Sequence, residues 1–256
     1  MPGALLETHA LSRRFGGLQA VQDASIAVAA DSITALIGPN GAGKSTLFNL
    51  IAGSLAPDSG RVVFGGRDIT GAAPHAVAAL GIGRTFQTTR LFAHMTVLEN
   101  VMVGRHVRSK AGCIAGMLNL PSTWREERRI REHAAATLAD LELGGHMHAV
   151  AGTLPFGVQR LVEFARALAA EPRLLLLDEP AAGLNLHETA ALGRLIERIR
   201  SQGITVLVVE HDMSLVMDIS ERVIVLDQGR VLTAGTPLEV QKNPDVVRIY
   251  LGDDHA

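Results

Sequence analysis

The chain has 256 residues, with 24 Lys and Arg against 26 Asp and Glu, and its formal net charge is −2. Hydrophobic residues make up 47% and charged residues 20% of the sequence, which excludes an intrinsically disordered chain. The near-neutral charge gives no electrostatic case for a general nucleic-acid binder, so we expect no nucleic-acid partner. The single cysteine, Cys113, excludes an internal disulfide and a cysteine metal site.

The first ten residues contain an acid, Glu7, and no apolar core, which argues against a secretory signal. No apolar stretch approaches the roughly 18 residues that a membrane span requires. The sequence therefore predicts a soluble, intracellular chain.

Aliphatic strand-like segments alternate with helical patterns along much of the chain, as is typical of a parallel α/β core. The predicted strand–helix units are 32–37 with 44–52, 173–177 with 187–200, and 204–209 with 213–219. Segments 222–226 and 230–234, separated by a short turn, predict a hairpin.

Two regions depart from this alternation. Residues 1–30 and 61–64 predict short antiparallel strands, whereas about 88–165 is almost wholly helical in pattern, most strongly at 97–104 and 124–141. The segment 105–121 between these helices predicts either a helical hairpin or a flexible excursion. We predict one domain over 1–256, organised as a β flank at about 1–35 and 60–70, an inserted helical subdomain at about 88–165, and a C-terminal helical tail at about 236–256.

The strongest motif lies between the first predicted core strand and its helix. It matches G-x-x-x-x-G-K-[ST] and consists of Gly38, Pro39, Asn40, Gly41, Ala42, Gly43, Lys44, Ser45 and Thr46. Glycines let successive backbone N–H groups surround phosphate oxygens, and the helix N-terminus adds its positive end. In such a loop the lysine meets the β- and γ-phosphates and the serine hydroxyl binds Mg²⁺. The sequence therefore predicts a nucleoside triphosphate site.

Two adjacent carboxylates, Asp178 and Glu179, follow a strand of four leucines. Charges at the end of a buried strand are costly unless a cation or substrate meets them. Asp178 suits a position close to Mg²⁺, and Glu179 suits polarising a water for attack on the γ-phosphate. The alternative is an acidic turn after a core strand, which the preceding loop motif makes the weaker interpretation.

His211 follows the strand 204–209, at the sheet edge where ligands of open α/β sheets collect. A lone histidine is more often structural than catalytic. Gln87 lies at the end of the short strand-like segment 83–87. Considered by itself, it is interpreted as a polar residue that caps this strand.

In combination these features resemble the ATP-binding cassette family over essentially the whole chain. The resemblance rests on the order of five features along the chain. They are the glycine-rich loop, Gln87, a helix start after Leu154, Asp178-Glu179-Pro180 and His211. The resemblance implies an α/β P-loop NTPase fold of the ABC type, with a RecA-like parallel-sheet core, an antiparallel β subdomain and an inserted α-helical subdomain.

Further motifs resemble, within that family, the larger ATP-binding subunit of bacterial high-affinity branched-chain amino acid importers. They are FGGL at 15–18, RTFQ at 84–87, LF at 91–92, MTVLEN at 95–100, GTP at 235–237, NPD at 243–245 and YLG at 250–252. The implied function is ATP hydrolysis that energises import of branched-chain or related amino acids. The alternatives are a related system for urea or amide import or lipopolysaccharide extraction, a soluble non-transport cassette ATPase and, weakest, a small-molecule kinase.

The resemblance also implies roles for individual residues with ATP and Mg²⁺. Phe15 would stack on adenine, Gln87 would touch Mg²⁺ and the attacking water, and His211 would hold the γ-phosphate. Glu179 would be the main catalytic carboxylate, with Ser45 and Asp178 at the metal. The loop 181–185 would connect two subunits, and an opposing subunit would contribute Leu154, Gly157 and Gln159 to the nucleotide.

The implied partners are two transmembrane permease subunits and a second ATPase, either another subunit or a second copy in a head-to-tail ATP sandwich. An extracytoplasmic solute-binding protein would act indirectly. The chain would lie in the cytoplasm on the inner face of the membrane, and the apolar residues Leu91, Phe92, Met95 and Val97 are the predicted docking surface.

The segment LPFGVQ at 154–159 departs from the widespread family pattern Leu-Ser-Gly-Gly-Gln. Pro155 replaces a serine, and Val158 replaces a polar residue. Proline is tolerated in the first helical turn, and the Gly157 N–H with the helix dipole still suits a phosphate. We expect ATP turnover to be retained and slowed.

Overall fold

The structure, a computed structural model, describes residues 3–85, 91–106 and 121–251. The chain divides into two units, one formed by Met1–Val77 with Arg173–Ala256 and the other by Ala78–Pro172. Across the three described ranges, no helix is both long and apolar enough to cross a membrane. The subdomain bounds given above stay predictions.

The strands of the described residues are, in chain order, β1 (Ala4–Phe15), β2 (Leu18–Ala24), β3 (Ala27–Ala29), β4 (Ile33–Ile37), β5 (Ser59–Phe64), β6 (Arg67–Asp68), β7 (Ile82–Arg84), β8 (Leu174–Asp178), β9 (Thr205–Val209), β10 (Arg222–Asp227) and β11 (Arg230–Gly235). The helices are α1 (Lys44–Ile51), α2 (Pro74–Ala79), α3 (Val97–Arg105), α4 (Pro121–Asp140), α5 (Phe156–Leu168), α6 (Leu186–Ser201), α7 (Met213–Ile219), α8 (Pro237–Gln241) and α9 (Pro244–Leu251).

The core of the first unit is a mostly parallel sheet with strand order β11-β10-β4-β9-β8. Pairing is parallel from β10 to β8, and β10–β11 is the predicted antiparallel hairpin. Every residue of β4, β8 and β9 is buried, which explains their continuous aliphatic sequences. The predicted ends of these three strands differ from the observed ends by one residue at most.

The register of the sheet brings the carboxyl ends of its central strands level. Val209 of β9 pairs with Leu36 of β4 on one side and with Asp178 of β8 on the other. The loops that follow these strands therefore emerge at one edge, where the sequence predicts the nucleotide site.

The β flank of the first unit is an antiparallel sheet with strand order β2-β1-β5-β6, and β3 also pairs with β1. The tight turn between β1 and β2 is made by two glycines, and Gly16 takes the positive φ of 56° that such a turn requires. The predicted antiparallel flank is confirmed.

The second unit is mainly helical. Its helix α3 packs against both α4 and α5. Gly104 lets the backbones of α3 and α5 lie close together, because a Cβ atom at position 104 would collide with the carbonyl group of Arg166 in α5. The predicted helices 97–104 and 124–141 are confirmed, although α4 begins three residues earlier than expected.

The expectation of a nearly continuous helix over 88–165 is wrong for residues 91–96, which precede α3 without forming a helix, and for residues 141–155. The latter stretch is made of turns with short 3-10 segments at Gly144–His146 and Ala151–Thr153. The Gly144-Gly145 pair explains the break, because glycine has a low helix propensity. Most of the segment 105–121, whose two predicted conformations were left open, lies outside the described residues.

Candidate nucleotide site

The glycine-rich loop connects β4 directly to α1. Its glycines Gly38, Gly41 and Gly43 have φ values of 151°, 82° and 98°. Gly43 is the N-cap of α1, and a Cβ atom there would collide with the carbonyl oxygen of Ala20. Only glycine fits this position, and the loop leaves the first N–H groups of α1 pointing outward from the helix end.

Lys44 lies inside the loop. It is only 6% exposed, and its Nζ donates to the carbonyl oxygens of Gly38 at 2.8 Å and Pro39 at 2.9 Å. Burial lowers the pKa of Lys44, while the charges of Glu179 and Asp178 oppose that shift. The loop therefore holds a positive charge on its inner side, close to two carboxylates.

The two carboxylates at the end of β8 differ in environment. Asp178 is buried, whereas the side chain of Glu179 is 17% exposed. Glu179 has a φ of 46°, which residues other than glycine rarely adopt, and its N–H donates to the carbonyl oxygen of Val209 at 2.9 Å. This conformation turns the chain at the end of β8.

His211 comes from the loop after the neighbouring strand β9. Its Nε2 lies 2.8 Å from Oε1 of Glu179, and its side chain is 41% exposed. The structure thus brings together Lys44, Asp178, Glu179 and His211 at one sheet edge, as the strand-end argument predicts. Gln87 lies outside the described residues, so its predicted place at this site is untested.

Glu210 is a residue that the sequence analysis missed. It is 3% exposed, and its carboxylate accepts hydrogen bonds from the N–H groups of Ala181 at 2.7 Å and His211 at 3.0 Å. The sequence did carry a signal, since Glu210, like Asp178, is a carboxylate that directly follows an apolar strand.

Phe15 ends β1 and is 43% exposed. The guanidinium carbon of Arg13 lies 5.1 Å from the centre of its ring. A half-exposed aromatic ring beside a cation can accept a flat π-system on its open face.

The segment 154–159 lies in the second unit. Pro155 is the N-cap of α5, one position before the first helical turn where the sequence analysis placed it. Its carbonyl oxygen accepts from the N–H groups of Val158 and Gln159, and Nε2 of Gln159 donates to the carbonyl oxygen of Leu154 at 2.8 Å. The helix start is therefore intact with proline there, and the N–H of Gly157 belongs to its first turn.

The predicted docking residues differ in exposure. Phe92 is 50% exposed, Leu91 and Met95 are half-buried, and Val97 is fully buried. Val97 is therefore a core residue of the second unit and cannot contribute to a docking surface.

A metal site made by protein carboxylates alone does not occur here, because no group of three or more His, Cys, Asp or Glu side chains converges within the described residues. Mg²⁺ usually keeps several waters and takes one or two protein ligands with substrate phosphates. The exposed Ser45 beside the loop and the buried Asp178 fit that mode of binding.

A glycine-rich loop between a buried parallel strand and a helix, with acidic groups at the carboxyl end of another strand of the same sheet, defines a P-loop nucleotide-binding protein of the α/β class. Residues 21–182 match the model of the ABC transporter family, and residues 230–256 match that of the branched-chain amino acid ATP-binding cassette transporter.

The similar proteins agree with these matches. The chain is 44% identical to the high-affinity branched-chain amino acid transport ATP-binding protein BraF of Pseudomonas aeruginosa, over 99% of this chain and 100% of BraF. It is 42% identical to LivG of Escherichia coli K12, a protein of the same description, with the same coverage. The solved ADP conformation of MJ1267, an ATP-binding cassette of an ABC transporter, has a TM-score of 0.85 at 34% identity and covers 98% of this chain and 99% of that one.

The chain belongs to the ABC transporter family. It is an ATP-binding cassette ATPase, and the predicted α/β fold class is confirmed.

Proposed function

We propose that the chain is the ATP-hydrolysing subunit that energises import of branched-chain or related amino acids through a membrane permease complex. The observation that carries this proposal is that one chain combines the P-loop geometry with a C-terminal segment, 230–256, that matches the branched-chain amino acid cassette model. The full-length similarity to BraF and LivG supports it.

ATP binding begins at Phe15, whose open ring face stacks on adenine. The phosphates then lie against the N–H groups of the loop 38–46 and the N-terminus of α1. Lys44 exchanges its contacts with the carbonyl oxygens of Gly38 and Pro39 for phosphate oxygens, which compensates its buried charge better than neutral carbonyls do.

Hydrolysis is an in-line attack of water on the γ-phosphorus. Glu179 orients and polarises the water, while His211 contacts the water and the γ-phosphate. The bond from water to phosphorus forms as the bond from phosphorus to the bridging β-oxygen breaks. Nε2 of His211 lies 2.8 Å from Oε1 of Glu179, so the two groups that handle the water are paired with each other.

Ser45 would hold Mg²⁺ directly, with Asp178 close to it and Gln87 as a further ligand. When bound, Mg²⁺ neutralises charge that develops on the phosphate oxygens. Asp178 is buried, and its negative charge favours the ammonium form of Lys44.

The working assembly is a pair of ATPase subunits on two permease subunits, located in the cytoplasm on the inner face of the membrane. Each nucleotide lies between the loop 38–46 of one subunit and Leu154, Gly157 and Gln159 of the other. Phe92, the exposed member of the predicted docking residues, contacts a permease. A solute-binding protein selects the substrate outside the membrane.

Lipopolysaccharide extraction is the second candidate. The lipopolysaccharide export system ATP-binding protein LptB of Acidithiobacillus ferridurans is 36% identical to this chain over 97% of each protein. That identity is below the 42–44% of the BraF and LivG proteins, and the C-terminal match favours amino acid import.

The test is recovery of the tagged chain from detergent-solubilised native membranes, followed by mass spectrometry. We expect two multi-span permeases and a smaller cassette ATPase. The recovered complex is then placed in liposomes, and its ATPase rate is measured with a binding protein that carries leucine, isoleucine or valine, or urea as the comparison. Stimulation by urea alone, or recovery with lipopolysaccharide-export components, contradicts the amino acid proposal. Recovery only from the soluble fraction contradicts the transport role.

A further inference from the structure

Glu210 links two loops that leave different strands of the core sheet. Its Oε1 accepts from the N–H of Ala181, in the loop after β8, at 2.7 Å. Its Oε2 accepts from the N–H of His211, in the loop after β9, at 3.0 Å, and more weakly from that of Asp212 at 3.5 Å. One side chain therefore connects the start of the loop 181–185 with the backbone of His211.

The hydrogen bonds of Glu210 require a carboxylate. All three partners are donors, and an ionised carboxyl group offers acceptors on both oxygens. Burial and the charge of Glu179 raise the pKa of Glu210, while the three backbone N–H groups lower it. No Lys, Arg or His forms an ion pair with Glu210 in the part of the chain that the structure describes. The backbone N–H groups compensate this buried charge in part, since burial on balance still raises the pKa of Glu210. The stability of the charge therefore depends on the positions of the two loops.

A second connection completes the link. The N–H of Glu179 donates to the carbonyl oxygen of Val209 at 2.9 Å, and Nε2 of His211 lies 2.8 Å from Oε1 of Glu179. Ala181 is thus bonded to Glu210, and Glu210 to the backbone that carries the His211 ring. Hydrogen bonds connect Ala181 to Glu210, Glu210 to the His211 N–H, and the His211 ring to Glu179.

We propose that Glu210 is a positioning residue through which the loop 181–185 sets the position of His211 relative to Glu179. This inference rests on the proposed function, in which two ATPase subunits pair and His211 contacts the γ-phosphate, and on the resemblance, which implies that the loop 181–185 connects the two subunits. Glu210 itself does not touch the nucleotide. Its function is to make the geometry of the Glu179–His211 pair depend on contact between subunits.

The first experiment compares Glu210→Gln with wild type in the complete transporter complex. The amide keeps the size of the side chain but turns an NH₂ group toward one of the two loops. We expect kcat to fall about ten- to a hundredfold, because small displacements of positioned groups have effects of that size. The KM for ATP and the affinity for a fluorescent ATP analogue should stay within twofold of wild type.

Glu221→Gln is the matched control. Its Oε2 also accepts a backbone N–H, that of Ile33, but at the amino end of the sheet, where β4 starts. Loss of a carboxylate–backbone bond there should leave kcat unchanged. An equal fall of kcat in both variants would show a general structural effect and overturn the proposal, as would a Glu210→Gln enzyme with wild-type kcat.

Ala181→Pro breaks the same link from the other side, because proline has no N–H, and it leaves the Glu210 carboxylate in place. If the link is the cause, Ala181→Pro lowers kcat and the double variant is no slower than the slower single variant. Independent, multiplicative losses would contradict the link. If Glu210→Gln does not fold, Ala181→Pro alone tests the link, and wild-type kcat in that variant would overturn the proposal. A wild-type complex without ATPase activity would instead contradict the proposed function, so the two failures are distinguishable.

Discussion

At the scale of single residues, the unusual backbone of Glu179 is the feature most closely tied to chemistry. A φ of 46° is costly for a residue with a Cβ atom, and such conformations persist where the surroundings fix them. Here the bond from Glu179 N–H to Val209 and the contact with His211 fix it. The turn places the Glu179 carboxylate 2.8 Å from Nε2 of His211, at the edge of the sheet.

Glu179→Gln should bind ATP normally and lower kcat by about 10²–10⁴-fold, the range typical for loss of a general base. The amide keeps the shape of the side chain but cannot polarise a water in the same way. Phosphate release measures turnover, and a fluorescent ATP analogue measures binding. Glu197→Gln, on the exposed face of α6, is the control and should retain wild-type turnover. Unchanged turnover in Glu179→Gln would remove this residue from the catalytic role.

Phe15→Ala should weaken ATP binding and leave kcat at saturating ATP unchanged. Stacking of a base on an aromatic side chain contributes about 1–3 kcal/mol, so Kd should rise about five- to 150-fold. Phe15→Trp, which keeps a flat ring, should restore binding. Leu18→Ala is the control, since Leu18 is also exposed near the same turn. Equal affinity of Phe15→Ala and wild type would exclude the stacking role.

At the scale of elements, local patterns determine most of what the sequence analysis found. The sequence predicts a helix near 213–219, and α7 has these ends, with Asp212 as its N-cap and Ser220 as its C-cap. The convergence of Lys44, Asp178 and His211 follows from the rule that parallel strands end at one edge. Both inferences need only neighbouring residues and the order of strands.

The contacts that the sequence analysis missed are non-local. Glu210 bonds to Ala181, which lies 29 positions earlier in the chain, and no local pattern reports that pairing. Asn100 was noticed only within a family-like motif, although it is completely buried and its Oδ1 accepts from the N–H of Phe92 at 2.9 Å. Polar residues that organise loops do not recur at a regular spacing in the sequence. Their hydrogen-bond partners are therefore identified only from the three-dimensional structure.

Asn100→Ala should destabilise the chain by about 1–3 kcal/mol, the usual cost of buried polar groups left without partners. The amide nitrogen of Asn100 donates to the carbonyl oxygens of Phe92 at 3.1 Å and Thr96 at 3.0 Å, so its removal frees the segment that precedes α3. Urea unfolding followed by circular dichroism measures the change. Gln202→Ala, at an exposed amide, is the control.

Asn100→Asp separates hydrogen bonding from packing in this experiment. It has nearly the same volume as asparagine but has no N–H donors and introduces a charge at a buried position. We expect a loss of stability at least as large as for Asn100→Ala. A wild-type unfolding midpoint in Asn100→Asp would show that these hydrogen bonds do not stabilise α3.

At the scale of the whole molecule, the proposed nucleotide site requires two subunits. The first unit carries the loop 38–46 and the Glu179–His211 pair, and the second carries Leu154, Gly157 and Gln159, which are proposed to act on the nucleotide of the opposing subunit. Proline at the N-cap of α5 leaves the helix start intact, with the N–H of Gly157 in the first turn, as the proposed contact with a phosphate of the opposing subunit's nucleotide requires.

The specific ATPase activity of the purified chain should therefore rise with protein concentration and level off as subunits pair. A complementation test examines the requirement for two subunits more directly. Lys44→Ala removes the phosphate-binding ammonium, and Gly157→Glu places a carboxylate where a phosphate should bind, so each variant alone should be inactive. A mixture of the two should regain activity, because a mixed pair holds one intact loop facing one intact α5. Constant specific activity across the concentration range, together with no regained activity in the mixture, would mean that one chain contains a complete catalytic site.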